Sequence, residues 1–222
     1  MLAFKQKSKV LQTHKIVLAG SIGVGKRSIR YRIIADEWLD PTYTNRVFQE
    51  LDPSKRMIEV GNERCIIDLT LVPNPQEIRR PQYFNSSTDG LIVVYDICDR
   101  DSFEAAKQLW REAALAKFQD EKNDNGCDVP VLLFGNKTDL GHEREVTEEE
   151  GRDFARRIGA LWIEGSALDG WERGVIDEAM GELIRRRLVK DGGEKIGAQA
   201  DDISMPYFLL FFSYSSTAGK IF

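Results

Sequence analysis

The sequence predicts an α/β fold: a doubly wound, mostly parallel six-stranded sheet with one antiparallel edge strand and helices on both faces. Three observations carry this reading. Apolar runs of strand length alternate along the chain with segments of helical period. Gly20-Ser21-Ile22-Gly23-Val24-Gly25-Lys26 is a glycine-rich loop between an apolar strand and a helix. Met57-Ile58-Glu59-Val60 and Cys65-Ile66-Ile67-Asp68 are joined by only Gly61-Asn62-Glu63-Arg64, short enough for a hairpin and therefore antiparallel.

Taken in order, Lys15-Ile16-Val17-Leu18-Ala19 places a first strand near 15–20, and the glycine loop leads into a helix near 26–37. The hairpin supplies strands near 55–60 and 64–70, and Val93-Val94-Tyr95-Asp96 closes a strand near 90–96. A helix follows near 101–118, then a polar loop, Asp120-Glu121-Lys122-Asn123-Asp124-Asn125-Gly126. Val129-Pro130-Val131-Leu132-Leu133-Phe134 predicts a strand near 129–135. Thr147 and Glu150 stand at capping-box spacing and open a helix near 147–158. A strand near 160–164 precedes a helix near 171–190, in which Val175, Ile176, Ala179, Met180, Leu183, Ile184 and Leu188 form a stripe of helical period. That stripe reads as core packing ahead of a partner surface. No internal repeat is visible.

Two segments carry chemistry. In the loop Ser21-Ile22-Gly23-Val24-Gly25, backbone N–H groups at the start of a helix can point at phosphate oxygens, and Lys26 adds a positive charge. Asn136-Lys137-Thr138-Asp139 follows a buried strand, where the strand-end loops of a parallel sheet gather around a ligand. Asp139 can accept two N–H donors, which a guanine edge offers and an adenine edge does not. Each segment alone has an ordinary alternative, a glycine turn before a helix or a polar turn leaving a strand. Both in this order make coincidence a poor explanation and specify a phosphate site and a guanine site.

At 222 residues, 42% hydrophobic and 30% charged, the chain suits one core with tails. We expect a flexible arm at 1–14, a nucleotide-binding domain at 15–190 and a tail at 191–222. The net charge of −5 gives no global attraction to nucleic acid or to an anionic membrane, so no nucleic-acid partner is expected. Cys65, Cys98 and Cys127 lack metal-type spacing and read as reduced thiols of a cytoplasmic protein. The basic segment Met1–Lys9 has no sustained apolar stretch, so neither a signal peptide nor an anchor is expected.

The chain resembles a Ras-family small GTPase from about Lys15 to Lys190. The likeness rests on the two segments above and on Val93-Val94-Tyr95-Asp96, Asp101-Ser102-Phe103-Glu104, Glu145-Val146-Thr147-Glu148-Glu149-Glu150-Gly151 and Glu164-Gly165-Ser166-Ala167. It implies a P-loop NTPase-type sheet with one antiparallel edge strand. It also implies GTP and GDP as ligands, with effector and regulator proteins as partners. On the guanine side, it implies that Asn136 fixes the loop and faces the base, Lys137 packs along the nucleotide and Asp139 accepts from guanine. It further implies that the Ala167 amide, beside Ser166, donates to the guanine carbonyl; Leu168 stands where the family usually has Lys.

The metal and catalytic motifs depart from that pattern. The family follows its phosphate-loop lysine with Ser or Thr, whose hydroxyl holds Mg²⁺; here Arg27 stands there, and Ser28 comes one residue late. One helical residue turns a side chain by about 100°, so Ser28 would need local rearrangement to be a metal ligand. Arg27 either brings its own charge to the phosphates or points to solvent. The family's Asp-x-x-Gly-Gln is replaced by Leu69-Thr70-Leu71-Val72-Pro73-Asn74-Pro75-Gln76-Glu77. Gln76 is the candidate to orient the attacking water, and Asp68 matches a strand residue instead of the metal-supporting Asp. Thr42, in Asp40-Pro41-Thr42, is the candidate to close over Mg²⁺, with an Asp-Pro turn as the other reading. Trp38 either shields the base or is core, and Ile22 would crowd the space that catalytic water needs. Mg²⁺ is therefore doubtful.

The chain as given ends Gly219-Lys220-Ile221-Phe222, with no cysteine after Cys127, so no prenyl anchor is expected. Arg185-Arg186-Arg187 reads as a solvated helix end, with acidic lipid as the other reading. Tyr207-Phe208-Leu209-Leu210-Phe211-Phe212 is too short to span a bilayer and leaves open partner docking, weak peripheral contact at the inner face of a membrane, or an artefact of gene modelling. The function expected is Ras-like guanine-nucleotide binding in signalling with impaired intrinsic GTP hydrolysis. Two alternatives stand beside it. One is a working switch in which Gln76 and a partner's arginine sustain turnover. The other is a pseudo-GTPase scaffold that binds partners with or without nucleotide.

Overall fold

A computed structural model describes residues 11–35, 54–60, 63–80, 82–83, 85, 87–118, 129–171 and 173–190. Its elements are β1 (Thr13–Gly20), α1 (Lys26–Ala35), β2 (Lys55–Val60), β3 (Glu63–Leu71), β4 (Thr88–Asp96), α2 (Arg100–Phe118), β5 (Val131–Asn136), α3 (Glu148–Ile158), β6 (Leu161–Glu164) and α4 (Arg173–Lys190). The strands form one sheet in the order β2-β3-β1-β4-β5-β6. Only β2 pairs antiparallel, against β3. The expected sheet, with its antiparallel edge strand, is therefore the observed one.

The central strands are apolar without interruption because both faces of the sheet are covered. Along β1, Ile16 and Leu18 enter the core shared with Ile29 and Ile33 of α1 and with Ile176, Ala179, Met180, Leu183 and Ile184 of α4. Val17 and Ala19 enter the opposite core, shared with Phe103, Leu109 and Ala113 of α2 and with Phe154 of α3. Successive residues of a strand face opposite sides, so one run of four apolar positions serves two cores. The α4 stripe is packed as core, as its period implied.

Element ends differ from expectation by a residue or two, for local reasons. Val60 pairs with Glu63, so β3 begins at the residue assigned to the turn. β4 starts at Thr88, which is fully buried and whose hydroxyl accepts the Asn85 amide. Helix α4 starts at Arg173, not at 171, and the Trp171 ring before it packs edge-on against Phe134 at 5.4 Å. The remainder of the helix expected over 26–37 lies outside the described residues.

Helix α3 has the expected capping box: the Thr147 side chain accepts the Glu150 amide at 3.2 Å, and the Glu150 carboxylate accepts the Thr147 amide at 2.9 Å. The same carboxylate takes both guanidinium nitrogens of Arg100, at 2.7 and 3.0 Å, which ties the start of α2 to the start of α3. These contacts, led by Arg100, pull the Glu150 carboxyl from an ordinary 4.5 down to about 2. A carboxyl depressed in the folded state stabilises it fully above its unfolded value, and that contribution fades as pH falls from 4.5 towards 2. Glu150→Gln should therefore lower the urea midpoint at neutral pH, with the gap to the parent closing on acidification across that window. A gap that does not change with pH would contradict the assignment.

Candidate functional site

Because β1, β3, β5 and β6 run parallel, the segments that follow them emerge at the same edge of the sheet. The segment after β1 is the glycine loop. Gly23 (φ 88) and Gly25 (φ 90) occupy left-handed backbone that side chains rarely adopt, and a Cβ at Gly25 would lie 2.4 Å from the Asn136 side-chain nitrogen. Val24 is buried and anchors the loop, while Ile22 points outward and is 80% exposed. The Lys26 ammonium donates to the carbonyls of Gly20 and Ser21, at 2.8 and 2.7 Å, so the lysine folds back over its own loop. Burial, and then repulsion from Arg27, lowers the Lys26 pKa.

A cleft of about 430 Å³ opens beside this loop, lined by Ile22, Gly23, Gly25, Lys26, Arg27, Ser28, Leu71, Val72 and Pro73. The Val72 amide donates to the Leu18 carbonyl at 2.9 Å, which carries the end of β3 up to the phosphate loop. This lining tests the fit of Mg²⁺. Among the described residues it holds one hydroxyl, Ser28, two cations and no carboxylate, and no group of three or more His, Cys, Asp or Glu is placed to hold a metal. Asp68 lies back along β3, beside Lys15 in register and 3.6 Å from the Lys55 ammonium. A hard cation takes oxygen ligands, and the described wall offers it one side-chain oxygen, the Ser28 hydroxyl. Gln76 is exposed on a 3-10 turn, Pro75–Glu77, capped by Asn74, whose side chain accepts the Gln76 amide at 3.2 Å. The described lining stops short of it, at Pro73. Trp38 and Thr42 lie outside the described residues.

The guanine-side loops are tied to the phosphate loop by one buried side chain. Asn136, at the end of β5, donates to the Val24 carbonyl at 2.8 Å and accepts the Ala167 amide at 3.0 Å. Asp139 accepts the Ser166 hydroxyl at 2.5 Å, and the Ser166 oxygen accepts the amides of Leu168 and Asp169, at 3.1 and 2.9 Å. The structure thus brings Asn136, Asp139, Ser166 and Ala167 into one hydrogen-bonded unit, with Leu168 half-exposed beside it.

Two residues assigned from the sequence have partners within the protein. The Ala167 amide, expected to serve a guanine carbonyl, is engaged by Asn136. Lys137, expected to lie along the nucleotide, has left-handed backbone (φ 70), and its ammonium sits 2.5 Å from the Asp96 carboxylate. The reason is register: Asp96 stands directly beside Asn136 across β4 and β5, and its nearly buried charge draws the nearest cation.

Several supporting residues had no legible signal. Arg144 forms a two-pronged ion pair with Glu164, at 3.0 and 2.7 Å, joining the chain just beyond Asp139 to the residue just before Gly165. The Tyr95 hydroxyl donates to Glu164 at 3.2 Å and accepts the Trp162 ring N–H at 3.2 Å; burial, and then the Glu164 charge, push its pKa up, so it stays a donor. From α1, Arg32 reaches the carbonyls of Ala167 and Leu168. A second hollow of about 420 Å³, between α2 and α3, includes Lys107, Glu150, Asp153 and Arg156, which are paired with Glu104, Arg100, Arg156 and Asp153 respectively.

A glycine-rich phosphate loop between β1 and α1, joined through Asn136 to an Asn-Lys-Thr-Asp loop and a Ser-Ala loop, defines a phosphate-loop domain built for guanine nucleotide. The family model described as Ras family matches residues 15–188, and the chain belongs to that family. It is 30% identical over 191 residues to "Ras-like protein rasB" of Dictyostelium discoideum, a match covering 83% of this chain and 88% of that protein. Membership makes it a GTP-binding signalling protein of the small GTPase class, working with guanine nucleotide, regulators and effectors. Among the described residues no helix is long and apolar enough to cross a membrane.

A phosphate ligand prefers Lys26 charged, whereas burial and Arg27 lower its pKa in the free protein. Affinity for GDP should therefore fall as pH rises through and above that lowered value, since binding must then take up a proton. Arg27→Ser removes the second cause and should move the fall to higher pH, as read by calorimetric titration across the alkaline range. A fall that stays in place in the variant would show that Arg27 does not act on Lys26.

Proposed function

We propose that this Ras-family protein binds GDP and GTP through its phosphate and guanine loops but hydrolyses GTP very slowly and depends little on Mg²⁺. The observation that carries this reading is the wall of the phosphate cleft. Ile22, Leu71, Val72 and Pro73 present apolar surface, Arg27 stands at the position of the metal-binding hydroxyl, and the described lining has no carboxylate. Two cations, Lys26 and Arg27, offset part of a polyphosphate's charge without a metal's fixed geometry.

Hydrolysis needs more than charge. Water must be held in line with the phosphate, and donors must meet the charge that develops on its oxygens. The Pro73-Asn74-Pro75 segment lacks two backbone donors, and Gln76 sits exposed beyond the cleft lining. Ile22, 80% exposed in the cleft lining, would crowd the space that water or a partner's arginine needs. Nucleotide binding is better supported than turnover, because the loops that would hold the base are fully bonded to one another.

Base selectivity is proposed to rest on Asp139. Substitution by Asn presents an amide donor to guanine's own donors, a mismatch of about 1–3 kcal/mol. Asp139→Asn should weaken GDP binding by about 5- to 150-fold in competition titrations, and equal affinity of the parent for GDP and ADP would overturn the reading.

Turnover and metal dependence are tested together. Single-turnover decay of bound radiolabelled GTP should be very slow with and without Mg²⁺, and EDTA should change GDP affinity little. Ile22→Gly should leave turnover low, because it relieves crowding without supplying a metal site. Rapid Mg²⁺-dependent hydrolysis by the parent would refute the impaired reading and favour a working switch.

A further inference from the structure

Arg32 lies on α1, six positions after Lys26, and takes no part in the motifs that brought the phosphate and guanine loops to notice. Its Nε donates to the Ala167 carbonyl at 3.0 Å and its terminal nitrogen to the Leu168 carbonyl at 2.7 Å, so one planar fork holds two successive carbonyls of the guanine loop. The guanidinium also lies against Gly170, whose backbone is left-handed (φ 91) and where a Cβ would come within 2.9 Å of an Arg32 nitrogen. Gly170 in turn donates to the Ser166 carbonyl at 2.8 Å, closing the loop on itself. Ser166 organises this loop from within and Asn136 holds it from β5; Arg32 holds it from the helix that begins at the phosphate loop.

We infer that Arg32 is a positioning residue that latches the guanine loop to α1 and thereby slows release of guanine nucleotide, an inference that rests on the guanine-nucleotide reading above. The geometry is specific. The fork's acceptors are the carbonyls of the residues whose amides face Asn136 and Ser166, so the latch fixes the plane of the peptide groups bordering the base site. A shift of α1 at the phosphate end must pull on these carbonyls, because the fork is planar and two-pronged. Loss of the fork leaves Lys26 and its loop bonds in place, so the effect should fall on the base and not on the phosphates.

The test compares parent, Arg32→Met and Arg32→Lys. Methionine keeps a long stem and helix propensity but no donor; lysine restores a single donor. Release of a fluorescent GDP analogue should be roughly tenfold faster or more in Arg32→Met, with Arg32→Lys between it and the parent. Competition by inorganic pyrophosphate, which needs only the phosphate loop, should be unchanged in both variants. Unchanged GDP release from Arg32→Met, or equal weakening of GDP and pyrophosphate, would overturn the latch. Failure of the parent to bind GDP in the same assay would instead overturn the guanine reading and the latch with it.

Discussion

The site depends on the Asn136 side-chain amide. One group donates to the phosphate loop at Val24 and accepts from the Ser-Ala loop at Ala167, so segments following β1, β5 and β6 share a single buried connector. Asn136 is 2% exposed, where no solvent can replace a lost partner. Leaving such a group unpaired costs about 1–3 kcal/mol, more than the net gain from forming the bond. The connector also dictates sequence next to it: Gly25 has no room for a side chain because the Asn136 nitrogen occupies that space. The phosphate loop and the guanine-side loops are thus tied to each other through one side chain.

The two halves of the site are built from different materials. The guanine half is dense in polar pairing, with Ser166 to Asp139, Lys137 to Asp96, Arg144 to Glu164, and Tyr95 and Trp162 behind them. Buried polar networks of this kind specify one geometry when every member is satisfied. The terminal-phosphate half is an apolar lip of Ile22, Leu71, Val72 and Pro73 around two cations. The two cations of that lip suit a polyanion.

The order of strands and helices was legible because it is written in local patterns. The run Ile16-Val17-Leu18-Ala19 announces a strand covered on both faces, and the period of Ile176, Met180 and Leu183 announces a packed helix. Thr147 and Glu150 cap α3 as their spacing implied. Boundaries were less legible: the last helix begins two residues later than expected, after Trp171, whose ring packs on Phe134.

By itself, then, the sequence determined the fold, the phosphate and guanine loops, and the departures from the family's motif at Arg27 and along Leu69–Glu77, since each is a matter of residue type and spacing. Only the tertiary structure decided which donor meets which acceptor. Arg32 finds Ala167 from 135 positions away, Asn136 finds Val24 from 112, and Lys137 turns to Asp96 because β4 and β5 lie in register there. Hydrogen bonds act over a few ångströms and carry no trace in the spacing of residues that only the folded sheet brings together.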